Sequence, residues 1–291
     1  MSEARFTWQQ LVWRPVLRGL KSVAFIYVGV LVLMLLLENY LVYPGTPATR
    51  DWMPAPIGDI QDVDLVTESS VKIHGWYLPC PNSERTLLYF HGNGGNLSHR
   101  GGSMVKLSKA LDTAVFMVDY PGYGKSEGST TEAGCYESAT AAYDWLIQTQ
   151  NRDPTQLILY GASLGGAVAA ELATRKPHGV VVLVKTFTSL PDVAANQYPF
   201  LPVRWLMRNR MATIDRIRSI NSPVLIAHGD ADHLIPFAHG QQLFAAALEP
   251  KIFVRLPGQG HDESLGADFF LPLKTFLNTH LPTAAVAEPQ P

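Results

Sequence analysis

Eight short apolar runs recur along the chain, at 63–66, 71–78, 87–90, 114–118, 157–160, 180–184, 224–227 and 252–256. Runs of this length with few polar interruptions predict strands covered on both faces rather than on one. From the third onward they alternate with longer helical or mixed segments such as 136–148, and that order predicts an α/β class with a mostly parallel eight-stranded sheet flanked by helices. The connection through 187–218 is longer than a plain crossover needs. Trp205, Leu206 and Met207 within it are expected to form a small lid, with a packed surface helix as the alternative.

A different pattern opens the chain. Residues 23–37 are fifteen consecutive apolar positions, apolar all round, bounded by Lys21 and Ser22 before and by Glu38 and Asn39 after. Fifteen helical residues cover only about 22 Å of a hydrocarbon layer of about 30 Å. The embedded stretch is therefore read as 20–43, with Arg18 and Lys21 snorkelling at one end and Tyr40 and Tyr43 at the other interface. Arg5, Arg14, Arg18 and Lys21 precede the run and Glu38 follows it. The positive-inside rule then predicts a cytoplasmic segment 1–19 and a globular domain, 44–281, on the far side of the membrane. A cleaved signal peptide that releases the domain is the rival reading, but Glu38-Asn39-Tyr40-Leu41 is too bulky and charged for a nearby cleavage site. The stretch 282–291, rich in proline and alanine, reads as a flexible tail.

Length and charge set outer bounds. A chain of 291 residues that is 47% hydrophobic can bury one sizeable core, and a net charge of −2 gives no electrostatic case for nucleic acid. Cys80 and Cys135 lack any metal-binding spacing and are read as two unpaired thiols, with a disulfide in an oxidising compartment as the alternative.

The chemistry concentrates at Gly161-Ala162-Ser163-Leu164-Gly165-Gly166, where an apolar strand runs into Gly-x-Ser-x-Gly and then a small-residue helix. A serine on such a turn is strained and exposed, and its neighbours two residues away must lack a Cβ. The turn also aims the backbone N–H of Leu164 at any oxyanion formed on an attacked acyl group. A second donor, the N–H of Asn93, is expected from the loop His91-Gly92-Asn93-Gly94-Gly95-Asn96 after the third run. A serine hydroxyl needs a base to take its proton and a carboxylate to orient that base. His261, in a glycine-flanked loop after the last run, is the candidate base. Asp230 and Asp232, both in the loop after the seventh run, compete for the acid role, and their spacing does not separate them. A metal cluster of His228, Asp230, Asp232 and His233 is disfavoured by the absence of helical ligand spacing.

These blocks, together with Asp119-Tyr120-Pro121-Gly122-Tyr123-Gly124-Lys125-Ser126-Glu127-Gly128, Phe187-Thr188-Ser189-Leu190 and His228-Gly229-Asp230-Ala231-Asp232-His233-Leu234-Ile235-Pro236, resemble the α/β-hydrolases over roughly residues 41–273. Within them the chain resembles the bud-emergence-protein-like group of membrane-associated serine hydrolases. The resemblance selects Asp232 over Asp230 as the triad acid beside Ser163 and His261. It implies cleavage of a carboxylic ester or thioester, from a small-molecule or lipid-like acyl substrate, through an acyl-enzyme and without a cofactor. A peptidase of the same fold and a non-catalytic scaffold are the alternatives. One departure from the group is Lys185, in Val184-Lys185-Thr186, expected at the site mouth. It is read either as a contact for an anionic substrate group or as a lysine solvated at the rim.

Overall fold

In the computed structural model, which describes residues 8–262 and 264–282, all eight runs become strands of one sheet. They are β1 Gln61–Val66, β2 Lys72–Leu78, β3 Thr86–Phe90, β4 Ala114–Val118, β5 Leu157–Ala162, β6 Val180–Val184, β7 Val224–Gly229 and β8 Lys251–Leu256. Their spatial order is 1-2-4-3-5-6-7-8. β2 runs antiparallel to β1 and to β4, and every later pairing is parallel. The helices are α1 Trp8–Leu36, α2 Glu38–Val42, α3 Gly101–Leu111, α4 Glu132–Gln148, α5 Leu164–Ala173, α6 Leu190–Gln197, α7 Val203–Leu206, α8 Thr213–Ile217, α9 Phe237–Ala246 and α10 Ala267–His280.

The apolar runs are continuous because successive residues enter two different cores. Leu157 and Leu159 of β5 pack with α4, α5 and α9 on one face, whereas Ile158 and Tyr160 pack with α3 and α10 on the other. Neither face of the central strands meets water, so neither needs polar positions. The chain steps from β3 outward to β4 and returns to the other side of β3 for β5. This reversal opens a crevice beyond the carboxyl ends of β3 and β5, the place where open α/β sheets hold their ligands.

The apolar N-terminal run lies within α1 up to Leu36, and its last residue, Leu37, falls between α1 and α2. The α1 segment Pro15–Leu36 spans 22 residues with a mean hydropathy of 2.2, long and apolar enough to cross a membrane. The helix starts well before residue 20 and stops at Leu36, so the expected embedded stretch 20–43 is divided between α1 and α2. The division falls where Glu38 is drawn into the globular domain, with only 4% of its surface exposed. Its carboxylate accepts hydrogen bonds from the N–H of Arg208 at 2.9 Å, the N–H of Asn209 at 2.7 Å and Asn209 Nδ2 at 2.9 Å. Arg208 Nε adds a bond at 3.3 Å. Burial by itself would raise the Glu38 pKa, but these donors from Asn209 and Arg208 hold it below the ordinary carboxyl value. Cys80 and Cys135 are free thiols, as read. Residues 1–7, with Arg5, and the expected tail from 283 onward lie outside the described residues.

Glu38→Ala leaves two backbone donors and an amide without their acceptor, and should cost about 1–3 kcal/mol. Unfolding of the full chain in detergent measures it. Because the folded pKa is depressed, the advantage of the wild type should be complete above the ordinary carboxyl value of 4.5 and fade as the pH falls through the lower folded value. Equal stability of the two proteins at neutral pH would contradict the clamp.

Candidate active site

Ser163 occupies the turn between β5 and α5 with φ 53° and ψ −118°, a conformation that L-residues avoid. Backbone approaches close enough to exclude side chains hold it there. A Cβ on Gly165 would lie 2.0 Å from the carbonyl oxygen of Phe90, and one on Gly161 would lie 2.2 Å from that of Gly165. Two bonds from the segment after β6 complete the turn. The N–H of Ser163 donates to the carbonyl of Val184 at 2.9 Å, and Thr186 Oγ1 donates to the carbonyl of Ser163 at 2.7 Å.

The loops after β7 and β8 bring Asp232 and His261 to this turn. His261 Nε2 lies 3.0 Å from Ser163 Oγ, and His261 Nδ1 lies 2.7 Å from Asp232 Oδ2. A carboxylate on Nδ1 fixes the proton there and leaves Nε2 as the acceptor facing the hydroxyl. The second oxygen of Asp232 accepts the N–H groups of Leu234 at 3.0 Å and Ile235 at 2.8 Å, which locks the carboxylate's orientation. Burial pushes the Asp232 pKa upward, yet the hydrogen bonds from His261 and Ile235 outweigh it and keep the carboxyl below its ordinary value. Asp230 is engaged elsewhere: it receives Arg255 Nε at 2.8 Å and the N–H of Gly258 at 2.6 Å. His228 Nε2 is bonded to the carbonyl of Ile235 at 2.8 Å and lies 3.6 Å from Asp232 Oδ2.

Gly92 brings the loop after β3 against Ser163, for a Cβ there would lie 3.3 Å from the Cβ of Ser163. Asn93 follows it, and Leu164 begins α5 immediately after Ser163. The Asn93 side chain is tied back from the site. Its Nδ2 donates to the carbonyl of Val42 at 2.5 Å, while its Oδ1 and its carbonyl accept from the hydroxyl of Tyr123 at 2.8 and 2.9 Å. The segment that follows α2 therefore shapes this loop, an arrangement reinforced by the N–H of Thr46 donating to the carbonyl of Gly95 at 3.1 Å.

A cavity of about 610 Å³ opens beside Ser163 and His261. Tyr89, Leu107, Tyr160, Leu265 and Phe270 give it an apolar wall, and His99, Arg100 and Lys106 add polar groups. The stretch 187–218 contributes no lining residue, so the expected lid is not over this cavity. That stretch is instead pinned beside α1 and α2 through Arg208 and Asn209. Lys185 does line the cavity but is not solvated at a rim: it is 4% exposed, and its Nζ donates to the carbonyls of Gly260 at 2.7 Å and His261 at 3.3 Å. Its backbone has φ 48°, and the resulting turn after β6 directs the ammonium to the loop that carries His261. Sequence reasoning assigned no task to Thr186, Tyr123 or Glu38. Glu38 carried a signal, a carboxylate directly after an apolar helix, but it was read only as a flank of the span.

The alpha/beta hydrolase family matches residues 87–216. The alpha/beta hydrolase domain-containing protein WAV2 of Arabidopsis thaliana is 33% identical over 261 residues, covering 81% of this chain and 85% of WAV2. Protein bem46 of Schizosaccharomyces pombe is 31% identical over 255 residues, covering 82% and 85%. Among solved structures, the Pyrococcus furiosus esterase Pf2001 superposes with a TM-score of 0.68 at 19% identity, over 81% of this chain and 96% of the esterase.

Asp232 makes a signed prediction. Since its folded pKa is depressed, its contribution to stability is complete above the ordinary value of 3.8 and is lost as the pH falls through the lower folded value. Over that acid window urea unfolding should show the wild type losing stability faster than Asp232→Asn. Parallel curves for the two proteins would contradict the bonding described for this carboxylate.

Proposed function

This chain belongs to the α/β-hydrolase family, and on that premise we propose that it is a membrane-anchored serine hydrolase that cleaves a carboxylic ester or thioester through an acyl-enzyme on Ser163. The observation that carries this reading is the hydrogen-bonded chain from Ser163 Oγ to His261 Nε2, 3.0 Å, and from His261 Nδ1 to Asp232 Oδ2, 2.7 Å. The acceptor nitrogen of His261 takes the hydroxyl proton as Oγ attacks the acyl carbon. The imidazolium that forms is stabilised by Asp232, which stays ionised. The oxyanion of the tetrahedral intermediate is held by the backbone N–H groups of Leu164 and Asn93, with the amino end of α5 adding positive potential. Collapse breaks the bond to the alcohol or thiol, and His261 returns the proton to that leaving group. Water then enters, gives a proton to His261 as its oxygen attacks the acyl carbon, and the Oγ–acyl bond breaks as His261 returns that proton to Ser163 Oγ, releasing the acid.

An ester is favoured over a peptide because the Pyrococcus furiosus fold neighbour is an esterase. The apolar wall of the adjoining cavity suits an acyl chain. Pro15–Leu36 is the anchor, with the amino terminus cytoplasmic and the hydrolase domain on the far side, in keeping with Arg18 and Lys21 at its amino end and the basic residues before it.

A fluorophosphonate probe should label the wild-type chain, and Ser163→Ala should abolish the labelling. Asp232→Asn should keep the fold at neutral pH and lower kcat by about 10⁴-fold, because the carboxylate no longer selects the tautomer. A folded wild type that resists the probe would overturn the hydrolase and favour a scaffold.

A further inference from the structure

The stretch 198–210, Tyr-Pro-Phe-Leu-Pro-Val-Arg-Trp-Leu-Met-Arg-Asn-Arg, presents large apolar side chains to the surroundings in a way the catalytic site does not use. Trp205 is 88% exposed and Phe200 71%, with Tyr198 and Leu206 also exposed beside them. They line no part of the cavity next to Ser163. The same stretch is fastened to α1. Tyr27 donates its hydroxyl proton to the carbonyl of Phe200 at 2.9 Å, and Arg208 Nη2 donates to the carbonyl of Leu35 at 2.8 Å.

The position of Tyr27 fixes the depth of this surface. It is the thirteenth residue of the 22-residue apolar segment Pro15–Leu36, so only twelve residues of that segment precede it. Twelve helical residues cover about 18 Å, well short of a hydrocarbon layer of about 30 Å. The segment can therefore cross a bilayer only if residues 27–36 are also within it, and the backbone at Phe200 goes with them. A domain surface meant for water would be displaced to lipid depth by its own anchor. This one carries side chains that lipid accepts: Phe200 and Leu206 are apolar throughout, and the rings of Tyr198 and Trp205 favour the boundary between acyl chains and headgroups. Arg210, exposed on the same stretch, is suited to lipid phosphates above it, while Arg204 is paired with Asp192 at 3.0 Å. The apolar surface continues past the helix, since Tyr40 and Leu41 of α2 are exposed as well.

We propose that Tyr198, Phe200, Trp205 and Leu206 form a second membrane contact, inserted into the same bilayer that α1 crosses and holding the domain against it. The proposal rests on α1 being an anchor, as in the function proposed above, but it does not depend on catalysis. The Val42–Asn93 bond then puts the loop beside Ser163 next to the membrane-proximal segment, so acyl groups carried by bilayer lipids have the shortest path to the site.

The test uses the full chain in phosphatidylcholine vesicles containing lipid brominated near the headgroup. The difference in tryptophan emission between the wild type and Trp205→Phe isolates the indole of interest. That difference should be blue-shifted and quenched at least twofold, while Trp13, at the other end of α1, reports insertion in both proteins. A Trp205 signal that keeps the wavelength of indole in water and resists the brominated lipid overturns the proposal, whether the patch then stays in water or takes a protein. Because the readout involves no turnover, it holds or fails independently of whether Ser163 proves to be a nucleophile.

Discussion

A serine backbone held at φ 53° is the constraint on which the rest of the site depends. Such a turn survives only where the surroundings over-determine it, and here they do so with backbone rather than side chains. The carbonyls of Phe90 and Gly165 occupy the space that Cβ atoms on Gly165 and Gly161 would fill. Strand β3, strand β5 and helix α5 thus come together more closely than any larger residue allows. The same closeness sets the loop after β3 beside Ser163 and starts α5 directly after it. Fold and chemistry share one packing requirement.

The second organising feature is the connection between the apolar helix and the site. Glu38 ends the run of α1 by turning into the domain, where it gathers Arg208 and Asn209. A few residues later Val42 accepts from Asn93, and Thr46 bonds to Gly95. Two regions far apart in sequence, the loop after β3 and the stretch after β6, are therefore held by one short segment next to the apolar helix. The apolar helix and the globular domain are joined by specific bonds rather than by a slack linker.

Much of this was legible before any coordinates. The eight strands announced themselves because residues such as Ile158 and Leu159 face two separate cores and leave no polar position between them. Gly161 and Gly165 were legible because a steric demand at a sharp turn admits one residue type. What spacing alone left open was Asp230 against Asp232: both follow β7, and the choice depends on Arg255 and Gly258 capturing the first and His261 the second. Of the two readings of Lys185, solvation at the rim fails because the side chain is buried and turned toward the carbonyls of Gly260 and His261. The stretch around Trp205 was expected over the pocket because its length is a sequence property, and its attachment to Glu38 is not. Contacts between distant segments, made by ordinary side chains, carry no local pattern.

The central claim is covalent: an acyl group passes through Ser163 on its way to water. Rapid mixing of the full chain with a chromogenic ester, quenched in acid and followed by peptide mass analysis, reads that event directly. The account predicts a burst of leaving group approaching one per chain, with the acyl mass on the peptide that contains Ser163. Turnover with no acylated peptide, or an acyl group on a different residue, would contradict it.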